Sequence, residues 1–479
     1  MNQNKDLSAI AYRKIRQQHW DKISGKRDHF PNWGITYHNR IEKIYKFIVP
    51  PDSTILEIGC GEGDLLAALS PSLGVGLDFS AKTLELAEIK HPNLQFLQLD
   101  AHDLNSLEGP FDFVIFSDTI NDLWDVQEAL QQVKRLCTPR TRIVANYYSH
   151  LWQTPLTLAQ RLGIAKTMLP QNWLTNEDIA GLANLAGFET IRQWQEILFP
   201  FPIPFVEPLF NRVLVHLWGF RFFALTNFII ARLPIETREL RPTVSVVVPA
   251  RNEAGNIPAI FERLPDMGSG TELIFVEGHS RDDTYEIIES EIEKHPNRKC
   301  KLLSQKGMGK ADAVRLGFAE SAGDILMILD ADLTVPPEYL PRFYDVLISR
   351  KGEFVNGVRL VYPMEYEAMR LLNKLGNKFF SLAFSWLLSQ PIKDTLCGTK
   401  VLWKIDYKNI LKNRNFFGDF DPFGDFELLF GAAKLNLKIV DLPIRYRDRT
   451  YGSTNISRWK HGWLLLRMVW YAAIKLKFT

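Results

Sequence analysis

The chain has 479 residues, enough for two or three domains that each bury their own core. Its 46% apolar and 23% charged residues are ordinary for folded protein, and a formal net charge of +2 leaves no global pull toward nucleic acid. Four widely spaced cysteines (Cys60, Cys137, Cys300, Cys397) form no CxxC pair, so neither a disulfide framework nor a zinc site is expected, and a reducing cytosol is the simplest setting.

The start, Met1 to Trp20, is polar and charged and has no apolar core of the signal-peptide kind. From Thr54 the pattern alternates. Short apolar strands are predicted at Thr54–Ile58, Gly74–Leu77, Leu94–Leu99, Phe111–Phe116 and Arg142–Ala145, with a helix beginning at Leu65. Such alternation predicts a parallel sheet with helices on both faces. A proline-rich stretch (Pro200, Pro202, Pro204, Pro208) follows, and Phe222–Ala231 reads as a closing edge strand. Residues 234–242 read as a linker. The alternation restarts at Thr243, with strands predicted at Val244–Val248, Leu273–Val276 and Ile325–Leu329. Phe205–Leu233 and Trp459–Phe478 are apolar, but internal charged and polar residues argue against either as a membrane span.

In the front half, Gly59, Gly61 and Gly63 follow Glu57 where a buried strand enters a helix. Glycines let the backbone pass close to a ligand there. Asp78 ends the next strand, placed to accept from ribose hydroxyls. Asp100, followed by Ala101, ends the third, placed for an adenine amino group. The spacing is GxGxG, not the GxGxxG of nicotinamide sites. Over roughly Tyr37 to Arg232 this pattern resembles class I S-adenosylmethionine-dependent methyltransferases. The resemblance implies S-adenosylmethionine as cofactor, its methionine part held by Glu57, Gly59, Gly61 and Gly63. The run Phe116-Ser117-Asp118-Thr119 replaces the Asn-Pro-Pro-aromatic motif of enzymes that methylate exocyclic or amide nitrogens. Asp118, Asn121 and Asp122 are candidates to line the acceptor side, with a solvated helix start an equal alternative. For Tyr147, Tyr148 and His150 packing is the favoured reading.

In the back half, Pro249 and Glu253 end the first strand and Glu277 the second. Lys310 closes a basic glycine loop, and Asp330-Ala331-Asp332 follows a strongly apolar strand. Two carboxylates flanking one small residue at a strand end suit a hard divalent cation that bridges a diphosphate. With Asp394-Thr-Leu-Cys-Gly398-Thr-Lys400 and the run Arg447 to Trp459, the half resembles inverting family 2 glycosyltransferases of the GT-A fold. Within these it is most similar to the polyprenyl-phosphate (dolichol-phosphate mannose or glucose synthase-like) branch. Glu277-Gly-His-Ser280 departs from that family's paired aspartates, which leaves the base open.

The resemblance implies a nucleotide-sugar donor held by Pro249, Glu253, Glu277, Lys310, Asp330 and Asp332, with Mg2+ or Mn2+ on Asp330 and Asp332. It implies Asp394, then Asp425, as the catalytic carboxylate. Lys400, Arg447 and Asn455 are implied to meet the acceptor phosphate; for Glu427 a structural salt bridge is expected. After Asp448 basic residues from Arg449 onward interleave with tryptophans and no acid follows, the composition of a helix that lies on an anionic membrane surface. Met369–Leu388 is a second candidate interfacial helix.

The expected architecture is therefore α/β in two domains: an extension over 1–36, a Rossmann-like methyltransferase sheet over 37–233, the linker 234–242, a GT-A domain over 243–448 and a basic tail over 449–479. The expected protein is a bifunctional enzyme on the cytoplasmic face of a membrane. It moves a sugar to a polyprenyl phosphate and methylates a sugar or lipid-linked product. The alternatives are a soluble or polymeric glycan acceptor, and a front domain that binds cofactor without turnover.

Overall fold

A computed structural model describes residues 2–24, 33–163, 168–234, 241–359, 361–362, 371–414, 424–447, 449, 451 and 458–478. The chain divides into two compact units, Met1–Ile235 and Glu236–Thr479. Helix α1 (Asn2–Ile23) belongs to the first and the terminal helix Arg458–Leu476 to the second.

The first unit is built on a seven-stranded sheet of β1 (Thr54–Ile58), β2 (Leu73–Asp78), β3 (Gln95–Gln98), β4 (Phe111–Ser117), β5 (Cys137–Tyr148), β6 (Glu189–Glu196) and β7 (Thr226–Arg232), in the order β3-β2-β1-β4-β5-β7-β6. The first five strands are parallel, β7 runs antiparallel to β5, and β6 runs antiparallel to β7. The strand expected to close the edge thus lies one place inside it. The true edge is β6, whose sequence ETIRQWQE is too polar to stand out as a strand. The central strands are apolar because helices cover both their faces: Ile55, Leu56, Val114 and Ile115 are fully buried. Helix α2 (Trp33–Ile48) packs Ile41, Tyr45 and Ile48 into one side of this core.

The second unit repeats the device with another sheet: β8 (Val244–Ala250), β9 (Thr271–Glu277), β10 (Cys300–Ser304), β11 (Ile325–Ile328), β12 (Phe354–Val358), β13 (Lys400–Trp403) and β14 (Ile439–Pro443). Their order is β10-β9-β8-β11-β13-β12-β14. β8 to β11 are parallel, and β13 runs antiparallel to both its neighbours.

In both sheets the chain turns back on itself beside the first strand, between β1 and β4 and between β8 and β11. Ligands of open α/β sheets bind in the crevice at the carboxyl ends of strands at such a point. A matching clamp fixes the amino ends of each pair. Thr54 donates its N–H and hydroxyl to Asp112 Oδ2 at 2.8 and 2.9 Å, and Thr243 donates the same two groups to Asp324 Oδ2 at 3.0 and 2.8 Å. Both clamps are solvent-exposed, so each contributes about 1 kcal/mol at most.

Candidate functional site

In the first unit the three glycines of the turn after β1 have positive φ, which favours glycine at each. Their surroundings differ. A Cβ on Gly59 would lie 2.4 Å from Thr119 Oγ1, and one on Gly63 would lie 2.7 Å from the Phe96 ring. One on Gly61 would meet nothing within 4 Å. Packing accounts for Gly59 and Gly63, and Gly61 faces open space. Asp78, at the end of β2, accepts the Gly61 N–H at 3.1 Å and the Ser80 N–H at 2.9 Å.

Glu57 is 2% exposed, and its Oε2 has no hydrogen-bond partner. Burial pushes its carboxyl up to about 8, against the Leu66 backbone N–H that stabilises the charge. A buried orphan carboxylate oxygen beside an open glycine turn fits the cationic amino-acid end of S-adenosylmethionine.

Glu57 makes stability pH-dependent. Its folded pKa lies above the ordinary 4.5, so the folded state holds a proton the unfolded chain has lost. That stability is complete below about pH 4.5 and is lost as pH rises toward 8, by roughly 1.4 kcal/mol per unit. Thermal unfolding of the first unit from about pH 5 to about pH 9 should show this slope in the wild type and a flatter one in Glu57→Gln. Parallel slopes would refute it.

Helix α1 lies across the carboxyl ends of three strands. Gln17 donates to the Phe79 carbonyl (3.1 Å), Arg13 pairs with Asp100 (3.1 Å), and Asp122 is held by Arg16 (3.4 Å) and the Trp20 indole (3.2 Å). Residues expected to form a separate extension therefore lie over the carboxyl ends of β2, β3 and β4. Their polar composition gave no such signal. Asp100 is also held by His102, whose N–H and Nδ1 lie 2.8 and 2.6 Å away. Burial opposes its charge, but His102 and Arg13 keep the carboxyl below its usual range. Ala101 beside it is half-buried. Asn121 is structural, bonded to the Asn172 carbonyl and the Tyr148 N–H, and Tyr147 is buried against Asn176. His150 is exposed.

In the second unit five charged side chains meet at the carboxyl ends of β8 and β11. Lys310 Nζ pairs with Asp330 at 2.5 Å. Arg449 bridges Asp332 (2.7 Å) and Glu253 (3.0 Å). Arg449, which sequence reading placed in the membrane tail, is thus part of the site. Asp332 also accepts from the Thr334 N–H and hydroxyl through Oδ1. Burial pushes the Glu253 carboxyl up to about 7, against the pull of Arg449 and Asn256. Burial opposes the Lys310 charge, but Asp330, Asp425 and Asp332 outweigh it and raise the ammonium pKa.

Gly398 lies against this cluster: a Cβ there would stand 2.0 Å from Asp330 Oδ2 and 2.3 Å from Lys310 Nζ. Glu277 accepts the Ser280 N–H at 2.5 Å, and half-buried Pro249 pairs with the preceding Val276 in the sheet. Asp330 and Asp332 offer hard oxygen donors that suit Mg2+ or Mn2+. Among the described residues no group of three acidic, His or Cys side chains is placed to hold a metal. A cation on Asp332 would have to displace the Arg449 guanidinium.

Asp394 is not placed as the sequence motif implied. It is 1% exposed and takes a two-pronged ion pair from Arg359 (2.7 and 2.9 Å) with the N–H groups of Arg359 and Leu396. Burial raises its pKa, but Arg359 more than offsets this and leaves the carboxyl below its usual range. A carboxylate so engaged is a poor proton acceptor. Asp425 opens the helix Asp425–Lys434 after Gly424 and stands near Lys310. Lys400 is fully buried and donates to the Cys397 carbonyl, away from solvent, so it is not presented to an acceptor. Arg447 is exposed, and Asn455 lies outside the described residues. Glu427 pairs with Arg315 at 2.9 Å, the structural role expected of it.

Arg359 was not visible in sequence, where it is one arginine after an apolar strand. A cavity of about 520 Å³ lined by Arg241, Asp324, Trp403, Lys404 and Lys408 opens by the amino ends of β8 and β11, opposite the crevice where ligands of such sheets bind.

Residues 51–198 match the family model described as a methyltransferase domain, and residues 245–403 match that of glycosyl transferase family 2. A dolichol-phosphate mannosyltransferase of Pyrococcus furiosus is 31% identical over 221 residues, 45% of this chain and 59% of that protein. An undecaprenyl-phosphate 4-deoxy-4-formamido-L-arabinose transferase of Pseudomonas aeruginosa is 32% identical over 121 residues, 23% of this chain and 36% of that protein. The chain therefore spans less than two thirds of either relative. Among solved structures, a SAM-dependent methyltransferase of Thermotoga maritima, described as a possible histamine N-methyltransferase, aligns with 18% identity. It covers 42% of this chain and 92% of its own, with a TM-score of 0.34.

Proposed function

We propose that this chain, which joins a methyltransferase domain to a family 2 glycosyltransferase domain, transfers a sugar from a nucleotide-sugar to a polyprenyl phosphate and methylates a sugar or lipid-linked product with S-adenosylmethionine. The observation that carries the reading is the charge cluster at the β8–β11 crevice. Asp330 and Asp332 would bind the divalent cation on the donor diphosphate, with Glu253 and Glu277 toward the nucleoside. A cation there neutralises the departing diphosphate. Lys310, held by Asp330 and Asp425, would add positive charge to the same group. An acceptor phosphate is already ionised and needs no strong base. Asp394 then serves by aiming Arg359, and Arg359 and Arg447 would meet the acceptor phosphate.

The test is transfer of labelled sugar from a nucleotide-sugar panel to undecaprenyl phosphate and, in parallel, to soluble glycans, with the full chain and Mg2+ or Mn2+. Label in the lipid phase supports the reading. Label only on soluble glycan transfers support to that rival.

Exposed aromatics support membrane association. No described helix is long and apolar enough to cross a membrane. On the terminal helix Trp463 and Trp470 are each 66% exposed, and Leu466, Arg467 and Ile474 share their face, while Leu465, Met468 and Ala472 are buried. The neighbouring helix Leu371–Leu388 exposes Phe379 and Leu382. The first unit separately exposes Phe205, Trp218 and Phe223 between β6 and β7. Such faces suit the headgroup region of a bilayer. Trp463→Ser with Trp470→Ser should weaken binding to anionic liposomes even in high salt, because aromatic burial is not screened. Unchanged binding would mean that this face does not enter the lipid.

A further inference from the structure

The loop after β4 carries a carboxylate, Asp118, that takes no part in the cofactor turn or the second unit's charge cluster. Asp118 has φ 55°, a conformation uncommon outside glycine and concentrated at functional sites. Its Oδ1 accepts two short hydrogen bonds, from the Tyr37 hydroxyl and Asn146 Nδ2, both at 2.6 Å. Asn146 is oriented in turn by the Tyr45 hydroxyl at 2.8 Å. Asp118 Oδ2 accepts from no described group, and the side chain is half-buried rather than sealed.

The loop is fastened to the cofactor turn. Thr119 Oγ1 donates to the Ile58 carbonyl at 2.9 Å and fills the space a Cβ on Gly59 would need. One oxygen is thus locked and the other is open, beside the crevice between β1 and β4. The titratable groups facing Asp118 are Tyr37, His38 and Tyr45 from α2 and Tyr148 from β5. Burial raises the Asp118 pKa, and His38, Tyr37 and Asn146 draw it only partly back.

Resting on the methyltransferase reading above, we propose that Asp118 is the general base of methyl transfer and that the methyl acceptor is a hydroxyl group, as on a sugar or other polyol, seated against Asp118 Oδ2. A hydroxyl is a weak nucleophile unless its proton is removed as the new bond forms. A carboxylate or phosphate acceptor has no proton to lose and would be repelled by Asp118. As the acceptor oxygen bonds the methyl carbon, the carbon–sulfur bond breaks and its electron pair returns to sulfur. The hydroxyl proton passes to Asp118 Oδ2. The positive sulfonium and negative carboxylate are both neutral afterwards, so charge balances.

The cofactor and its product differ at this position by one charge, which supplies a test without a known acceptor. S-adenosylmethionine carries a sulfonium and S-adenosylhomocysteine a neutral thioether. Both present the same amino-acid end to Glu57. Calorimetry of the full chain in buffers of different ionisation enthalpy should show more protons released by S-adenosylmethionine than by S-adenosylhomocysteine above the ordinary carboxylate range. The sulfonium favours the ionised Asp118. In Asp118→Asn that difference should vanish while S-adenosylhomocysteine binds as before, since an amide oxygen can still accept from Tyr37 and Asn146. A difference that persists in Asp118→Asn, or is absent in the wild type, overturns the assignment. Failure of the wild type to bind either ligand overturns the cofactor reading itself. For the acceptor class, deuterated methyl delivered by the wild-type chain to a lipid extract should survive alkali, as an ether does. A methyl released by alkali, or one on nitrogen, overturns the hydroxyl.

Discussion

Asp332→Asn is expected to lower sugar transfer by about 10²–10³-fold, the usual loss when one group that stabilises reaction charge is removed. The second unit should keep its fold. The Thr334 N–H and hydroxyl can still be accepted by an amide oxygen, so only the formal charge is lost. Two consequences follow from that charge. Manganese binding in the presence of nucleotide, read by electron paramagnetic resonance, should weaken, because an amide is a poorer ligand than a carboxylate for a hard cation. The Arg449 guanidinium should also release one of its two carboxylates and keep Glu253. In the wild type a chelator should stop transfer and added Mg2+ or Mn2+ should restore it. Full transfer in chelator would show that Lys310 and Arg449 alone neutralise the departing diphosphate.

Arg359→Ala should destabilise the second unit by about 3–5 kcal/mol, because it leaves a buried carboxylate without its counter-charge. The Asp394 side chain is fully buried, and Arg359 supplies three of its hydrogen bonds. The pH dependence is diagnostic. The folded pKa of Asp394 is depressed, so its contribution is present above the ordinary 3.8 and is lost as pH falls through the lower folded value. Removing Arg359 should reverse that sign, since desolvation then dominates and the carboxyl prefers its proton. Thermal unfolding of the wild type and the variant in mildly acid and neutral buffer would show it. A variant that unfolds like the wild type at both would mean that the pair contributes nothing net.

What the sequence made legible, and what it did not, follows from how each element is stabilised. Strands buried on both faces announce themselves as apolar runs, and β1, β2, β4, β8, β9 and β11 lie where such runs were read. β6 is a polar edge strand, and β12 to β14 are four or five residues long and interrupted by Asn356, Gly357, Lys400 and Asp441, so they do not stand out as apolar runs. Glu57, Asp78, Glu253, Asp330 and Asp332 could be singled out as candidates because each lies in or just after a recognisable strand. Arg359, Arg449 and the α1 residues over the strand ends were not, because a lone basic residue has no pattern, and its partners are up to 196 residues away. Asp394 shows the reverse: its motif was visible, but its burial and its ion pair with Arg359 were not. For Asp118 the sequence supplied a candidate, and only the geometry separates one engaged oxygen from one open one.

The most direct measurement joins both halves in one product. The full-length chain would be incubated with a membrane lipid extract, a panel of nucleotide-sugars, Mg2+ and deuterated-methyl S-adenosylmethionine, and the lipids resolved by mass spectrometry. The expected result is a polyprenyl-phosphate lipid heavier by one sugar, with a fraction heavier again by one deuterated methyl group. Asp332→Asn should remove the sugar increment, and Gly61→Val, which fills the open face of the glycine turn, should remove only the methyl. Polyprenyl phosphate left without a sugar increment by the wild-type chain would contradict the assignment.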